Sequence, residues 1–331
     1  MTTNDEKKPA ARIYTPLLQP EAVQPWSQYA IGNAFQQPSR PGVCKQGLLS
    51  NTAYAVLRDN FRISTWMALG SCVQAAAVCV FGASLWVLVL PLGVVLYKLL
   101  RVVLEVYGII PNAHMAGVIP GLATCFIPND EGEYTGSPSS HNLAVLLITA
   151  RCNHPLGMLA PGFKEMGQYF ASIVDWCETD STAKGFLGMT QWLNAADRRT
   201  SNELLAIGYF RRVEDIHRLA HDVIHKQAWK FWNTRNYRLG YISISHEIFN
   251  APPGNWECIY GNSKPAGLGS TVFQSSKDGL WRSPLVRVKG PLRSSAGRLD
   301  AKQSTEQHQH MEQIYHETDT YKAYPEFAQD N

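Results

Sequence analysis

Three histidines stand at i, i+4 and i+8 in the run RRVEDIHRLAHDVIHKQAWKFWN: His217, His221 and His225, with Trp229 and Trp232 close behind. On a helix, residues four apart lie one above another, so this spacing draws a stripe of imidazoles that ends in indoles. Val213, Ile216, Ala220, Ile224 and Phe231 recur at helical spacing and mark an apolar face, and the stripe starts inside that face and drifts across its edge. Imidazole has an unperturbed pKa of about 6.5, so a histidine at such a boundary can take or give a proton near neutral pH. The same residues also have a structural reading, in which boundary His and Trp bury their ring bodies and hydrogen-bond at their tips. His221 and His225 have the spacing of zinc ligands, but the H-E-x-x-H pattern of zinc hydrolases has Glu where Asp222 stands, so no metal site is expected.

A strand must deliver this helix, since NELLAIGYF runs into it with almost no room for a loop. Upstream, LAVLLITA (143–150) is apolar throughout and suits a strand buried on both faces, and FKEMGQYFASIVDWC (163–177) has helical spacing at Phe163, Met166, Phe170 and Val174. A second strand over 186–193 turns through NAADRRTS into the third, 203–210, as a hairpin. After the histidine helix, 241–249 alternates, with Ile242, Ile244, His246 and Ile248 on one face. The order is β-α-β-β-α-β, the ferredoxin-like α+β fold, whose helices cover one face of a four-stranded antiparallel sheet. Helices on one face leave the other to be covered, so a homodimer is expected. Polar groups gather at strand ends: Arg151, Asn153 and His154 after the first strand, Trp192 and Asn194 at the end of the second, Trp256 and Glu257 after the fourth. Together they can ring an apolar pocket with a few polar fixtures, although Asn153 can equally cap its turn and Trp256 pack the sheet edge.

The chain of 331 residues is 45% hydrophobic, enough for a sizeable core. Its formal charge of +3 is too mild to argue for nucleic acid, and no basic helix or zinc-finger spacing supports one. Seven cysteines without a C-x-x-C pair read as free thiols. From Ile63 to Tyr97 there are 35 consecutive uncharged residues. One straight helix of that length would run about 52 Å against a hydrocarbon core of about 30 Å, so two shorter membrane helices turning near Gly82 and Ser84 fit better. Arg58 and Arg62 on one flank and Lys98 and Arg101 on the other put both ends of this hairpin on the cytosolic side. The expected organisation is a Pro-rich arm over 1–62 with docking aromatics such as Trp26 and Tyr29, membrane segments over 63–104, a connector over 105–141, the ferredoxin-like domain over 142–269 and a disordered polar tail over 270–331.

No GxGxxG follows a strand, and there is no Walker loop or GxSxG elbow, so Rossmann cofactor binding, nucleotide hydrolysis and α/β-hydrolase chemistry have no support in the sequence. The strings NHPLGMLAPGFKEMG (153–167), LGMTQWLN (187–194), NELLAIGYFRRVEDIHRLAHDVIHKQAWKFW (202–232), SISHEIF (243–249) and GNWECIYGNSKPAGLG (254–269) resemble the fungal monooxygenases of the fumagillin-cluster type, distant relatives of the antibiotic-biosynthesis monooxygenases. The resemblance spans about 140–269. It implies a dimeric α/β barrel and the oxygenation of a lipophilic terpenoid or polyketide intermediate in fungal secondary metabolism. Such a substrate partitions into the bilayer, which agrees with a membrane hairpin and an endoplasmic-reticulum location with the soluble domain cytosolic. Relatives in that superfamily often work without metal or flavin, with molecular oxygen as co-substrate. On this reading His221 or His225 is the base, and Asn153 or Glu257 orients the substrate. Arg151, His154, Trp192, Asn194, His217, Trp229, His246 and Trp256 line the pocket. Two other readings stay open: a haem-dependent dehydratase of the aldoxime type on the same fold, and a non-catalytic membrane-tethered carrier of a hydrophobic intermediate.

Overall fold

The computed structural model describes residues 14–22, 60–193, 203–235 and 240–299. Its main sheet is built on β2 (Leu143–Cys152), the strand that is apolar on both faces. β2 pairs with β4 (Leu204–Phe210) on one side and β5 (Ile242–Ala251) on the other, and β4 pairs with β3 (Phe186–Leu193). All three pairings are antiparallel, with Leu146 opposite Gly208 and Ile248. With α3 (Phe163–Glu178) between β2 and β3, and two helices between β4 and β5, the strand order β3-β4-β2-β5 is the ferredoxin-like arrangement expected from the element order.

The helix expected over 211–232 is in fact two, α4 (Val213–His221) and α5 (Val223–Arg235). Asp222 breaks them. Its backbone is extended at φ −70° and ψ 155°. Its carboxylate accepts the amide N–H of Ile224 at 3.0 Å, so it acts as the N-cap of α5. A short polar side chain that can satisfy an orphan amide competes with continued helix, and here it wins. α4 starts at Arg212 without a side-chain cap, and Glu214 and Asp215 in its first turn complement the positive end of the helix dipole.

Before the sheet come α1 (Ile63–Phe81) and α2 (Trp86–Val106), linked through Gly82 at φ +73°. Neither helix buries a single residue. The link lies where the sequence placed it, and Gln74 of α1 reaches the carbonyl of Val87 in α2 at 3.3 Å.

Two expected boundaries are wrong. The connector over 105–141 contains β1 (Ile119–Cys125), which pairs antiparallel with β6 (Tyr260–Ser263) and β9 (Leu285–Arg287) in a second sheet. Of the tail expected to be disordered, residues 270–299 are folded: β7 (Phe273–Gln274) pairs with β8 (Trp281–Arg282), and α6 (Ser295–Leu299) closes the described chain. Val272, Phe273, Trp281, Leu285, Val286 and Leu292 are all buried there. Residues 300–331 lie outside the described residues, as do Trp26 and Tyr29. From the N-terminal arm, the Leu17 amide donates to the Leu285 carbonyl at 2.9 Å and Glu21 exchanges backbone hydrogen bonds with Trp281. These strands are two to seven residues long, and β1 takes its partners from far away in sequence, so no local alternation announces them.

The sheet is buried differently on its two faces. On the helix face, α4 sets Ile216 and Leu219 against Ala144, Leu146 and Phe210, while Phe163 and Met166 of α3 pack with Cys152 and Ile242 at the far end. On the other face, the second sheet covers Leu143, Val145 and Tyr209. Further along that face Leu147, Leu205 and Ile207 are only half-buried, and Trp192 and Phe249 are about half exposed.

Candidate functional site

The two apolar clusters on the helix face do not meet. Between them lie Ile148, Ala150 and Leu204, all half-buried, with Ile244 and His246 exposed beside them on the edge strand β5. Ile148 is paired with His246, and Ala150 with both Leu204 and Ile244, so these residues share one face and form an apolar strip with His246 at its edge. α4 rests on β2, β4 and β5, whereas α5 turns onto α3, where Phe231 meets Tyr169 with ring centroids 5.0 Å apart. The break at Asp222 therefore falls where the helical layer leaves the sheet.

The break also decides what the histidines do. The carbonyl of His217 takes a hydrogen bond from His221 Nδ1 at 2.7 Å, and that of Ala220 takes one from His225 Nδ1 at 3.0 Å. A carbonyl can only accept, so each neutral ring carries its proton on Nδ1 and leaves Nε2 as a lone-pair acceptor. His225 is half-buried, and His217 and His221 are exposed, so His217 is not the packed group that the continuous stripe implied. Trp229 is exposed and stacks on Trp232 at 5.3 Å. Trp232 packs among Phe163, Met166 and Ile242, and its buried Nε1 has no hydrogen-bond partner among the described residues.

The strand-end residues divide between the two ends of the sheet. β2 and β3 run the same way, so Arg151, Asn153, His154 and Trp192 share one end. Arg151 lies 3.7 Å from Glu203, and the His154 ring lies 4.8 Å from that of Tyr241. The amide of Asn153 donates to the Tyr241 carbonyl at 2.7 Å, and Trp192 Nε1 donates to Thr190 Oγ1 at 3.1 Å. Asn194 lies outside the described residues. β5 runs the opposite way and delivers Trp256 and Glu257 to the other end, about 30 Å off at ~3.3 Å per residue along β2. Trp256 is buried there, with Nε1 donating to the His141 carbonyl at 2.8 Å. The Glu257 carboxylate accepts from Arg298 Nε at 2.8 Å and from Ser295 Oγ at 2.9 Å, which ties α6 to the domain. A single small substrate cannot touch both Asn153 and Glu257, so the ring of strand-end residues expected from the sequence is two separate groups.

At the Trp256 end there is a cleft of about 240 Å³ that no motif singled out. Ile127, Leu187 and Phe273 form its apolar walls, and His141, Asn142, Arg211 and Arg212 its polar ones. Burial first, then the charge of Arg211, lowers the His141 pKa below its ordinary value, against the opposing pull of Asp130, so the ring stays neutral near pH 7. A signal for this site does exist in the sequence. His141 and Asn142 immediately precede β2 and Arg211 immediately follows β4, and antiparallel pairing brings those two chain positions to one end. Among the described residues no group of three His, Cys, Asp or Glu side chains converges on a point where a metal could bind.

Comparison with known proteins gives three likenesses. A family model described as "Monooxygenase af470-like" matches residues 143–268, the span of the ferredoxin-like unit and the second sheet's β6. Among solved structures, SnoaB, a cofactor-independent oxygenase from Streptomyces nogalater, is 15% identical, covers 32% of this chain and 90% of its own, and superposes with a TM-score of 0.23. An aldoxime dehydratase is 12% identical over 50% of this chain and 40% of its own, with a TM-score of 0.28. Monooxygenase af470 of Aspergillus fumigatus is 30% identical over 248 residues, which is 73% of this chain and 89% of the relative, so the match takes in the region before the sheet as well as the sheet itself. On that extent of shared sequence the chain belongs to the af470-like monooxygenase family and is an oxidoreductase of the monooxygenase type.

Proposed function

We propose that this monooxygenase is anchored in the endoplasmic-reticulum membrane by α1 and α2 and oxidises a lipophilic terpenoid or polyketide intermediate of fungal secondary metabolism, with its sheet domain in the cytosol. The observation that carries the reading is the helical pair beside the domain, in which no residue is buried. α1 has 19 residues and α2 has 21, with mean hydropathies of 1.5 and 2.2 and nothing buried. At 1.5 Å per residue they measure about 28 and 32 Å, the thickness of a hydrocarbon core. A substrate dissolved in that core reaches the domain without crossing water.

His225 is the base we favour of the two histidines. It is half-buried where His221 is exposed, its Nδ1–H is committed to a backbone carbonyl, and its Nε2 is left to accept a proton. His246 at the edge of the apolar strip and the Trp229–Trp232 pair fit a substrate-binding role, and Arg151, Asn153, His154 and Trp192 fit the orientation of a larger substrate's far end. The chemistry that suits a lone base is oxidation of an electron-rich enol or phenol. Removing its O–H proton gives an anion that passes electrons to molecular oxygen, a C–O bond forms, and the resulting hydroperoxide loses water to leave a carbonyl. One oxygen atom enters the product, the other leaves as water, and no external reductant is consumed. A second copy of the chain is the partner that fits the half-exposed sheet face at Leu147, Ile207, Trp192 and Phe249.

The test is a turnover assay in reconstituted membranes under ¹⁸O₂ with the intermediate that accumulates when the gene is deleted. One labelled oxygen should enter the product, and His225→Ala should lower the rate by about 10², as loss of a general base commonly does, while the melting temperature barely moves. Unlabelled product, or a His225→Ala enzyme of full activity, overturns the reading.

A further inference from the structure

We propose that the cleft at the start of β2 is a binding site for a carboxylate carried on an apolar body. It lies at the end of the sheet where β2 begins and α4 starts, six or more residues along β2 from the Ile148–Ala150 strip, about 20 Å at ~3.3 Å per residue. It is therefore a separate site, and it does not rest on the assignment of the base.

The walls set the chemical class. Ile127, Leu187 and Phe273 offer the ligand apolar carbon surface, and Leu187 and Phe273 are themselves fixed in the core beneath the second sheet. Two arginines then line this apolar space. Arg211 has a side chain only 29% exposed, and its nearest acid is Asp130 at 3.8 Å, a carboxylate that is itself 89% exposed. That separation is too long for a hydrogen bond, and water screens an acid that open. Arg211 also lies over the Phe273 ring, 5.8 Å from guanidinium to centroid. Among the described residues its guanidinium donates no hydrogen bond, so a planar fork of donors is held half-buried against an apolar wall with no acceptor. Arg212, 64% exposed, lies 3.6 Å from the buried Asp215, which already has Arg218 at 3.1 Å.

The other polar groups are neutral. His141 has Nδ1 engaged with Ser140 Oγ at 3.0 Å, which leaves Nε2 free, and Asn142 spends its Nδ2 on the Arg211 carbonyl at 3.1 Å. Two cations, one imidazole and one amide oxygen against three apolar side chains describe a site for a single planar anion with carbon behind it. A carboxylate matches the guanidinium fork with two parallel hydrogen bonds. A tetrahedral phosphate would match the fork too, but it would leave the apolar walls against water. At about 240 Å³ the cleft falls below the roughly 300–1,000 Å³ typical of whole drug-sized ligands, so it takes a small acid or the acidic end of a longer molecule.

The experiment is calorimetric titration of the full-length protein in nanodiscs with 4-phenylbutyrate, using 4-phenylbutan-1-ol as the uncharged control and inorganic phosphate as the competitor. The acid should bind at least about 10-fold more tightly than the alcohol, Arg211→Gln should abolish that difference, and Arg211→Lys should keep part of it. Arg212→Gln, at an exposed position and with Asp215 still paired to Arg218, should weaken the acid by about 3-fold and reduce its sensitivity to salt between about 0.05 and 0.5 M, with circular dichroism checking that the variant is folded. Binding is read rather than turnover, so the outcome is independent of the oxygenation reaction. Three results would overturn the proposal: equal affinity for acid and alcohol, an Arg212→Gln protein that binds the acid like the wild type, or displacement of the acid by inorganic phosphate at equal concentration.

Discussion

The N-terminal helical pair and the sheet domain use apolar residues in opposite ways. In α1 and α2, Ile63, Trp86, Leu90 and Val106 are more than three-quarters exposed, and no residue of either helix is buried. In the domain, Phe126, Phe210, Leu285 and Leu292 are all but inaccessible, and the clusters around them join strands more than a hundred residues apart. Apolar area left in water costs about 25 cal/mol per Å². A helix that leaves all of it uncovered therefore needs a partner outside the chain, whereas the domain has found its partners within. The difference separates two kinds of stability. That of the domain depends on internal fit, and that of the helical pair on the solvent it sits in.

The most direct way to break this comparison is to ask where each region goes. Full-length protein should stay wholly in the membrane pellet after an alkaline carbonate wash, since two helices of 19 and 21 residues bury far more apolar surface in a bilayer than a peripheral contact does. Deleting residues 63–106 should move the protein to the supernatant. Wild-type protein released by carbonate would show that the helices are covered by something other than lipid.

A smaller effect tests internal fit itself, through two glycines. Gly185 has φ +66°, and a methyl group on it would sit 2.2 Å from Asp215 Oδ2, an acid that is 1% exposed and held by Arg218. Backbone strain and overpacking add, so Gly185→Ala should destabilise the domain by roughly 2–5 kcal/mol, lowering its melting temperature by about 5–15 °C. Gly93 in α2 has nothing within 4 Å of the same added methyl. Gly93→Ala should leave the domain's melting temperature within about 1 °C of wild type, because it only adds helix propensity to a segment outside the core. Thermal unfolding followed by near-ultraviolet circular dichroism on both variants checks this. Equal losses would mean that the helical pair is coupled to the core after all.

How legible each region was in the sequence follows the same division. The helical pair and its link at Gly82 could be read directly, because an uncharged run of that length has few soluble explanations. The β-α-β-β-α-β order was also readable, since β2 is a continuous apolar run and β5 alternates. What could not be read came from non-local pairing. β1 and β9 are short and take partners from far along the chain, and β7 and β8 are two residues each, too short to show alternation, so Ile119–Cys125 reads as a connector and Phe273–Arg287 as a loose tail. At the candidate site, the types and spacing of His221 and His225 are visible in the sequence, but periodicity does not register that Asp222 caps a new helix, and this one residue turns a stripe into a break. Strand direction decides the rest. Once β5 is antiparallel to β2, Trp256 and Glu257 must lie at the end opposite Asn153. By the same rule His141 and Arg211, which have no motif, come together.

The mildest contrast between the regions lies in how they treat charge. α2 leaves the side chain of Arg101 half in water, paired with Glu105 one turn on at 3.0 Å. In the domain, α3 ends on Glu178, which burial first and the neighbouring Asp175 charge second push up to about 8 from an ordinary value of 4.5. The sign of the consequence is fixed by linkage. Between pH 4.5 and about 8 the folded chain holds a proton on Glu178 that the unfolded chain has released, so folding stability declines as pH rises through that window and levels off above it. Below pH 4.5 both states are protonated and the penalty vanishes. Glu178→Gln mimics the neutral carboxyl at every pH, so it should match wild type in melting temperature near pH 4 and exceed it by a growing margin up to pH 8 to 9. The effect should be modest, because solvent reaches part of the side chain and screens the charge. Melting curves of the two proteins taken in parallel across that range decide it. A margin that stays flat with pH would mean Glu178 is ionised in the folded domain and that this end of α3 is as open to water as the helices before it.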